Sequence, residues 1–256
     1  MERTTINIEQ EPKVENPVFI EGLAGIGHIG RNTVSYIADQ TGAKKFGEIK
    51  SHHFPPHTVI NDDATVEVIK NKLYYLNRDK ERDLILLEGN AQASTPEGHH
   101  EVAEKVTNLA QKHNSQEIIT VGGYGKGEVV EKPEVFGAVT NKKIEEKYSD
   151  HNIEFSHDVG QIVGISGLLI GHAQENNTDG LCLLGETPGF LLSDPKSTEK
   201  VLKTLEQILN LEINYDNLDQ KIEDSQEVLK KLQNLKKKQK PEQEQEGQGG
   251  DLGYIG

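Results

Sequence analysis

The sequence has no tryptophan and is short of basic residues, and each shortage excludes a class of protein. Aromatic residues make up only 5% of the 256 residues, which argues against a protein that binds nucleic acids by stacking bases on aromatic rings. The 28 Lys and Arg residues stand against 42 Asp and Glu, a formal net charge of −14. Such a chain repels phosphate backbones, so we expect no nucleic-acid partner. The acidic excess is also compatible with adaptation to a salty cytoplasm.

Cysteine and long apolar runs are scarce as well. The single cysteine, Cys182, excludes a disulfide framework and a cysteine-rich zinc site. It fits a reducing compartment, and we expect a cytoplasmic protein. No run of 18 apolar residues occurs and the mean hydropathy is −0.63, so we expect no membrane span.

Apolar runs that alternate with amphipathic segments predict a layered α/β domain over residues 1–211. Continuous apolar runs, typical of strands covered on both faces, lie at residues 18–20, 84–87, 118–121 and 181–184. The third should end at the Gly122-Gly123 pair. Helices should begin near Ile29 and at Pro96, with Thr95 as the N-cap of the second. Strands alternating with helices predict a largely parallel sheet.

The chain changes character after about residue 193. Apolar residues at 201, 202, 205, 208 and 209 predict an amphipathic helix. A second amphipathic, coiled-coil-like helix is predicted over residues 212–238. Its apolar positions, close to a 3.5-residue rhythm, are Tyr215, Leu218, Ile222, Leu229 and Leu232. This stripe either folds back onto its own domain or pairs with a second copy; we predict a homo-oligomer stabilised partly through it.

Residues 239–256 form the C-terminal tail. Residues 239–250 contain only Gln, Lys, Pro, Glu and Gly and should be a disordered leash, because they cannot bury apolar surface. The chain then ends with Leu252, Gly253, Tyr254, Ile255 and Gly256. This apolar ending favours a short linear motif that enters a partner's pocket. The alternatives are that it packs on its own domain or has no role.

A glycine loop, Gly25-Ile26-Gly27-His28-Ile29-Gly30, matches the G-x-G-x-x-G pattern of dinucleotide-binding turns. It follows a predicted strand and begins a predicted helix, as such a turn should. The acidic residue that would bind the ribose has no clear counterpart, since Glu48 precedes the apolar part of its predicted strand. The same glycines would equally allow a helix to pack closely against the sheet, and we expect no cofactor.

Other candidate sites are weaker. The amides of residues 122–127 (GGYGKG) could cradle an anion, but the Gly-Lys-Ser/Thr ending of a P-loop is missing. Ser94 and Ser166 lack the G-x-S-x-G context of a hydrolase nucleophile. The clustered histidines have no metal-ligand spacing on a helix; they are His52, His53, His57, His99 and His100. We predict neither a bound metal nor catalytic residues.

Several segments taken in order resemble one known family, the archaeal branch of the proteasome assembly chaperone 2 family. They are residues 22–30 (GLAGIGHIG), 55–60 (PPHTVI), 88–98 (EGNAQASTPEG), 120–124 (TVGGY), 164–169 (GISGLL) and 185–189 (GETPG). The resemblance runs from about residue 15 to 211 and resumes at the C-terminus.

This resemblance implies a three-layer α/β/α sandwich similar to nucleoside phosphorylases and hydrolases, without enzymatic activity. It implies homo-oligomers that bind the α-subunits of the 20S proteasome, as assembly chaperone or ATP-independent activator. In such proteins a C-terminal hydrophobic–tyrosine–any tripeptide enters pockets between neighbouring α-subunits. Here Tyr254 is third from the end rather than second, a departure that bears on the activator role more than on the chaperone role.

Two alternatives compete with this interpretation. The first is a small-molecule enzyme of the phosphorylase-like fold that uses the glycine turns and residues 88–94. It would need a convergent anion site containing Arg31 and Lys126, the only basic residues near the two turns. The second is an unrelated coiled-coil adaptor with an inert α/β domain.

Overall fold

The computed structural model describes residues 3–61, 63–220 and 222. Within them, ten strands form a large mixed sheet and a separate hairpin, and helices cover the large sheet. The strands are β1 Thr4–Ile8, β2 Val18–Leu23, β3 Lys44–Ser51, β4 Thr58–Ile60, β5 Val66–Val68, β6 Asn71–Leu76, β7 Leu84–Gly89, β8 Glu117–Gly125, β9 Val135–Val139 and β10 Asp179–Thr187. The helices are α1 Ile29–Thr41, α2 Pro96–Lys112, α3 Lys142–Tyr148, α4 Ile165–Glu175 and α5 Pro195–Leu209. The α/β class is confirmed.

The large sheet is parallel only at its centre. Its order is β1-β3-β6-β7-β2-β8-β10-β9. Strands β7, β2, β8 and β10 run parallel, while β1, β3 and β6 on one side and β9 on the other are antiparallel to their neighbours. The expectation of a largely parallel sheet was therefore wrong for the flanks. The flanking strands carry polar or exposed positions, so they do not give the continuous apolar runs that revealed the four central strands.

Side chains alternate between the two faces of the central strands and fill two separate cores. Val18 and Ile20 of β2 lie with α1 and α5 on one face, in a cluster that includes Val34 and Leu205. Phe19 of the same strand lies on the other face, with residues of α2 and α4. Helices thus cover both faces, which explains why β2 and β7 are buried along their whole length and β8 and β10 along most of it.

The four predicted strands are confirmed, with one boundary error, and so are the predicted helices at Ile29, at Pro96 and around residues 201–209. Thr95 accepts a hydrogen bond from the Gly98 amide and Pro96 begins α2, as expected of an N-cap and a proline at the first turn. The Gly122-Gly123 pair, however, does not end β8, which continues to Gly125. Its main chain stays paired with β10 through Gly125 opposite Thr187, because ladder hydrogen bonds need no side chain.

After α5 the chain stays on the core. The left-handed residue Asn210 ends that helix, residues 216–220 and 222 are helical, and Leu218 is 3% exposed in the same cluster as α1 and α5. Tyr215 and Ile222 pack against that cluster while partly exposed. Leu229 and Leu232 lie outside the described residues. None of the described helices is long and apolar enough to cross a membrane.

Candidate functional site

The first glycine turn serves helix packing. Between β2 and α1 the chain forms a short 3₁₀ turn, Ile26–His28, in which Gly27 has φ of 62° and His28 has φ of 49°. A Cβ on Gly30 would lie 2.1 Å from the carbonyl oxygen of Val121 in β8, and one on Gly22 would lie 2.1 Å from the carbonyl oxygen of Gly30. These glycines let α1 approach the sheet more closely than any side chain allows. The geometry agrees with the close-packing alternative.

The second glycine run belongs to the sheet and its edge and is not a free loop. Residues 122–125 belong to the β8–β10 ladder, and the amides of Lys126 and Gly127 donate to the carbonyl oxygens of Thr187 and Pro188 at 2.9 and 3.2 Å. A Cβ on Gly123 would lie 2.3 Å from the carbonyl oxygen of Ile26, so this glycine lets the first turn rest on β8. The run is a strand end and not an anion cradle.

Gln92 joins the two loops above the sheet. Its Nε2 donates to the carbonyl oxygen of Ala24 at 2.9 Å, and its Oε1 accepts from the amide of Ile165 at 3.0 Å. It therefore connects the turn after β2 to the first residue of α4, where the cap Gly164 has no side chain to offer. Sequence analysis did not predict this role, since glutamines occur throughout the chain.

The two cations that an anion site would need do not converge. Arg31 lies 3.9 Å from the carboxylate of Glu88, a 9%-exposed side chain. Lys126 lies 3.2 Å from Glu186. Each basic group is thus paired with its own carboxylate, which leaves less positive charge for a phosphate.

The histidines and the serine that were weak candidates for a site make structural contacts instead. His53 is buried and its Nε2 lies 3.1 Å from Glu101, while Nδ1 of His99 lies 2.9 Å from the carbonyl oxygen of Thr95. Within the described residues, no three His, Cys, Asp or Glu side chains gather into a possible metal site. Ser166 lies in the first turn of α4 and is buried.

A row of polar side chains crosses the buried face of the parallel strands. Glu21 of β2 is opposite Thr120 of β8, which is opposite Cys182 of β10, and all three are fully buried. Within the described part of the chain, neither carboxyl oxygen of Glu21 makes a well-formed hydrogen bond. Desolvation raises the pKa of Glu21 to about 7, against smaller opposing effects of Ser166 and the Leu23 backbone. A charged residue inside an apolar strand run was a signal that sequence reasoning missed.

A pocket of about 420 Å³ opens above this row, at the carboxyl ends of β2, β8 and β10. Its walls come from the turn after β2, the glycine end of β8, the segment that leads into α4, and Gln92. Ile26 and Val163 line it while 48% and 79% exposed. This is the position where open α/β sheets hold ligands.

Hydrogen bonds hold the segment after α5 on the domain. The Tyr36 hydroxyl donates to the carbonyl oxygen of Asn214 at 2.7 Å, and the Tyr215 hydroxyl donates to Glu206 at 2.8 Å. Burial and the neighbouring Glu206 carboxylate raise the pKa of Tyr215 well above its usual range. Both hydroxyls therefore remain donors near neutral pH. The predicted tail residues, Leu252 to Gly256, lie outside the described residues.

Comparison with known proteins gives consistent matches over nearly the whole chain. A family model described as the PAC2 family matches residues 19–233. An uncharacterized protein of Methanocaldococcus jannaschii is 33% identical over 98% of this chain and 97% of its own length.

Two solved structures from Pyrococcus furiosus are similar to the fold. The first, PbaB, is described as an archaeal proteasome activator; it is 36% identical, covers 91% of this chain and 100% of its own, and has a TM-score of 0.85. The second, PbaA, is described as an archaeal homolog of proteasome-assembly chaperone; it is 24% identical, covers 91% and 93%, and has a TM-score of 0.74. At that identity the second likeness concerns the fold alone.

Proposed function

The chain belongs to the PAC2 family, and from this premise we propose that it binds the α-ring of the 20S proteasome as an assembly chaperone or ATP-independent activator. The observation that carries the proposal is the 36% identity to a proteasome activator along that protein's whole length. The C-terminal tail, with Leu252, Tyr254 and Ile255, is the proposed docking element.

The physical argument for the tail rests on its composition. A polar leash of about 15 residues spans roughly 20 Å on average, enough to carry a short motif away from the domain. The Tyr254 ring would fill an apolar slot with its hydroxyl at the rim, and the terminal carboxylate of Gly256 would pair with a basic group. The contacts of Leu211, Tyr215, Leu218 and Ile222 with the core support this arrangement, because they hold the chain on the domain ahead of the tail.

Self-association would make a weak tail effective. One tail that binds at about −4 to −6 kcal/mol corresponds to a Kd between roughly millimolar and tens of micromolar. A second tail on the same oligomer meets its pocket at an effective concentration near millimolar, which raises avidity by about a hundredfold. Tyr215, Leu218 and Ile222 contact their own domain, so we assign the proposed intermolecular contact to Leu229 and Leu232. Leu229→Lys with Leu232→Lys should lower the oligomeric mass in light scattering, and an unchanged mass would refute this assignment.

The phosphorylase-like alternative has less support. Arg31 and Lys126 pair with different carboxylates, and the second glycine run is part of strand β8 and its pairing with β10. A non-enzymatic role fits these contacts better.

Surface plasmon resonance on immobilised 20S particles tests the proposal. Deletion of residues 254–256 and Tyr254→Ala should each weaken binding at least about tenfold, because they remove the ring from its slot. Tyr254→Phe is the matched control, which keeps the ring and should bind far better than the alanine variant. Addition of one alanine after Gly256 moves the carboxylate without removing the ring, and should also weaken binding.

Two outcomes separate the parts of the proposal. Full affinity in the deletion variant would exclude the tail as the docking element and leave the folded domain as the binding surface. No binding of the wild-type chain to 20S particles or free α-subunits would overturn the proposed function itself. Stimulated hydrolysis of a fluorogenic peptide by 20S particles would identify an activator, whereas faster assembly from α-subunits would identify a chaperone.

A further inference from the structure

The pocket above β2, β8 and β10 lies where the sheet changes its winding. Helix α1, which follows β2, packs on one face of the sheet, while α4, which follows β8 and β9 along the chain, packs on the other. The connections therefore diverge between the adjacent strands β2 and β8 and leave a crevice at their carboxyl ends. The pocket fills this crevice and is lined by Leu23 and Gly25 on one side and by Gly122 on the other.

The lining selects against anions and favours an apolar body. Leu23, Ile26, Ile162 and Leu184 contribute apolar surface, and no lysine or arginine is among the lining residues that the structure describes. The volume of about 420 Å³ falls within the range of small-molecule sites.

Polar side chains line the pocket on several sides, and they are Gln92, His99, Tyr124, Gln161 and Ser166. Of these, Ser166 lies at the floor. Ser166 lines the pocket and also lies beside the buried carboxyl of Glu21. Glu21 is on the same face of β2 as Leu23, two residues further along the strand. A serine hydroxyl donates one hydrogen bond and accepts two. Ser166 can therefore donate to Glu21 and accept from a group in the pocket.

A buried carboxyl without a well-formed hydrogen bond lowers the stability of the fold, and an apolar residue at the same position would not. The presence of such a carboxyl therefore calls for an explanation other than packing. Thr120, the neighbour of Glu21 on β8, likewise has a hydroxyl without a partner in the described part of the chain. Each group lies two residues before a pocket-lining residue on the same face of its strand, Glu21 before Leu23 and Thr120 before Gly122. A ligand that supplies a donor at the floor would complete this arrangement through Ser166.

We propose that this pocket binds a small, non-anionic organic molecule whose apolar body carries an N–H donor, with Ser166 as the hydrogen-bond acceptor and Glu21 as the residue that orients the Ser166 hydroxyl. The lining residues lie between Leu23 and Leu184 of the sequence, so a test of ligand binding does not depend on proteasome binding by the tail. Glu21 is a positioning residue in this arrangement and does not itself contact the ligand.

A pair of probes that differ only at the donor tests the chemistry. Benzimidazole has an apolar body with one N–H, and 1-methylbenzimidazole replaces that N–H with a methyl group. Titration of the full ¹⁵N-labelled chain, followed by NMR, should show benzimidazole shifting the amide signals of Gly25, Gly122 and Ser166. The methylated probe should bind about tenfold more weakly, the effect of one lost hydrogen bond to a group backed by a carboxyl. Benzoate, an anion of similar size, should not shift these signals.

Three variants connect the binding to the named residues. Gly25→Leu should abolish the shifts, because a Cβ there has room, its nearest neighbour being Gln92 Nε2 at 3.6 Å, and the longer side chain fills the pocket. Gly171→Leu is the matched control on α4, where an added Cβ meets nothing within 4 Å, and it should leave binding unchanged. Glu21→Leu removes the acceptor for the Ser166 hydroxyl and should reduce the preference for benzimidazole while keeping the pocket open, because Glu21 does not line it.

The outcomes distinguish the site from its chemistry. No shift of the pocket amides by either probe at about 10 mM, which corresponds to binding weaker than roughly −3 kcal/mol, would overturn the site. Equal affinity for the two probes, or an unchanged preference in Glu21→Leu, would overturn the role of Ser166 and Glu21. The two probes are compared on the wild-type chain, so this comparison remains decisive even if a variant fails to fold.

Discussion

Replacement of the buried Glu21 by glutamine should make the protein more stable at alkaline pH and remove part of its pH dependence. Desolvation raises the pKa of this carboxyl from its ordinary 4.5 to about 7. The folded state therefore keeps a proton that the unfolded chain has already released between pH 4.5 and 7. Stability supplied by the neutral carboxyl is complete below pH 4.5 and is lost as pH rises through 7.

The magnitude follows from the size of the pKa change. At about 1.4 kcal/mol per pH unit over the interval from 4.5 to about 7, the wild-type chain loses about 3 kcal/mol. Glutamine has the same shape but stays neutral, so the variant keeps this free energy of unfolding at pH 8. For a chain of this length the difference corresponds to a Tm higher by roughly 6–12 °C.

Urea denaturation of both proteins at several pH values between 4 and 9 measures the effect. Burial lowers the pKa values of His28 and His113. Their titration therefore raises the stability of the fold with increasing pH, whereas that of Glu21 lowers it. Their contributions cancel when wild type and variant are subtracted at each pH. The difference should rise from pH 4.5 and level off above pH 7.5.

A matched substitution on the surface provides the control. Glu97 has a 76%-exposed side chain, so Glu97→Gln makes the same chemical change at the surface and controls for it. A difference for Glu21→Gln that does not change with pH, or one that rises only below pH 4, would refute the assignment of a desolvated carboxyl.

Three further substitutions test the packing. Gly30→Ala places a Cβ 2.1 Å from the carbonyl oxygen of Val121 and should cost about 3 kcal/mol in urea denaturation, whereas Gly160→Ala, with open space around it, should cost less than about 0.5 kcal/mol. Glu117→Ala removes a buried carboxylate that bonds Arg82, Lys147 and Tyr148. The free energy of unfolding should fall by about 3 kcal/mol. No change would mean that the two cations regain their hydration without cost. Leu218→Ala should cost about 2 kcal/mol even in a chain ending at residue 222, and no cost there would contradict the packing of this segment on the core.

Some parts of the fold were predictable because burial and capping leave a local pattern in the sequence. The four central strands were visible because burial on both faces leaves an uninterrupted apolar run. The helix at Pro96 was visible because its cap and first-turn proline lie next to each other in the chain. The antiparallel flanks were not, since strands with one polar or exposed face give short, mixed patterns that resemble loops.

The sequence by itself determined the α/β class, the family and the polar leash with its apolar ending, because these depend on residue type and order along the chain. Tertiary structure alone decided what the glycines and charges do. Gly30 and Gly123 serve packing because a backbone carbonyl from a distant strand or loop lies where a Cβ would be. Arg31 and Lys126 are separated because each meets a different carboxylate across the fold. Glu21 has a raised pKa because strand pairing and α4 take it out of water. Such distances arise only when segments far apart in the chain come together, and no local pattern carries them.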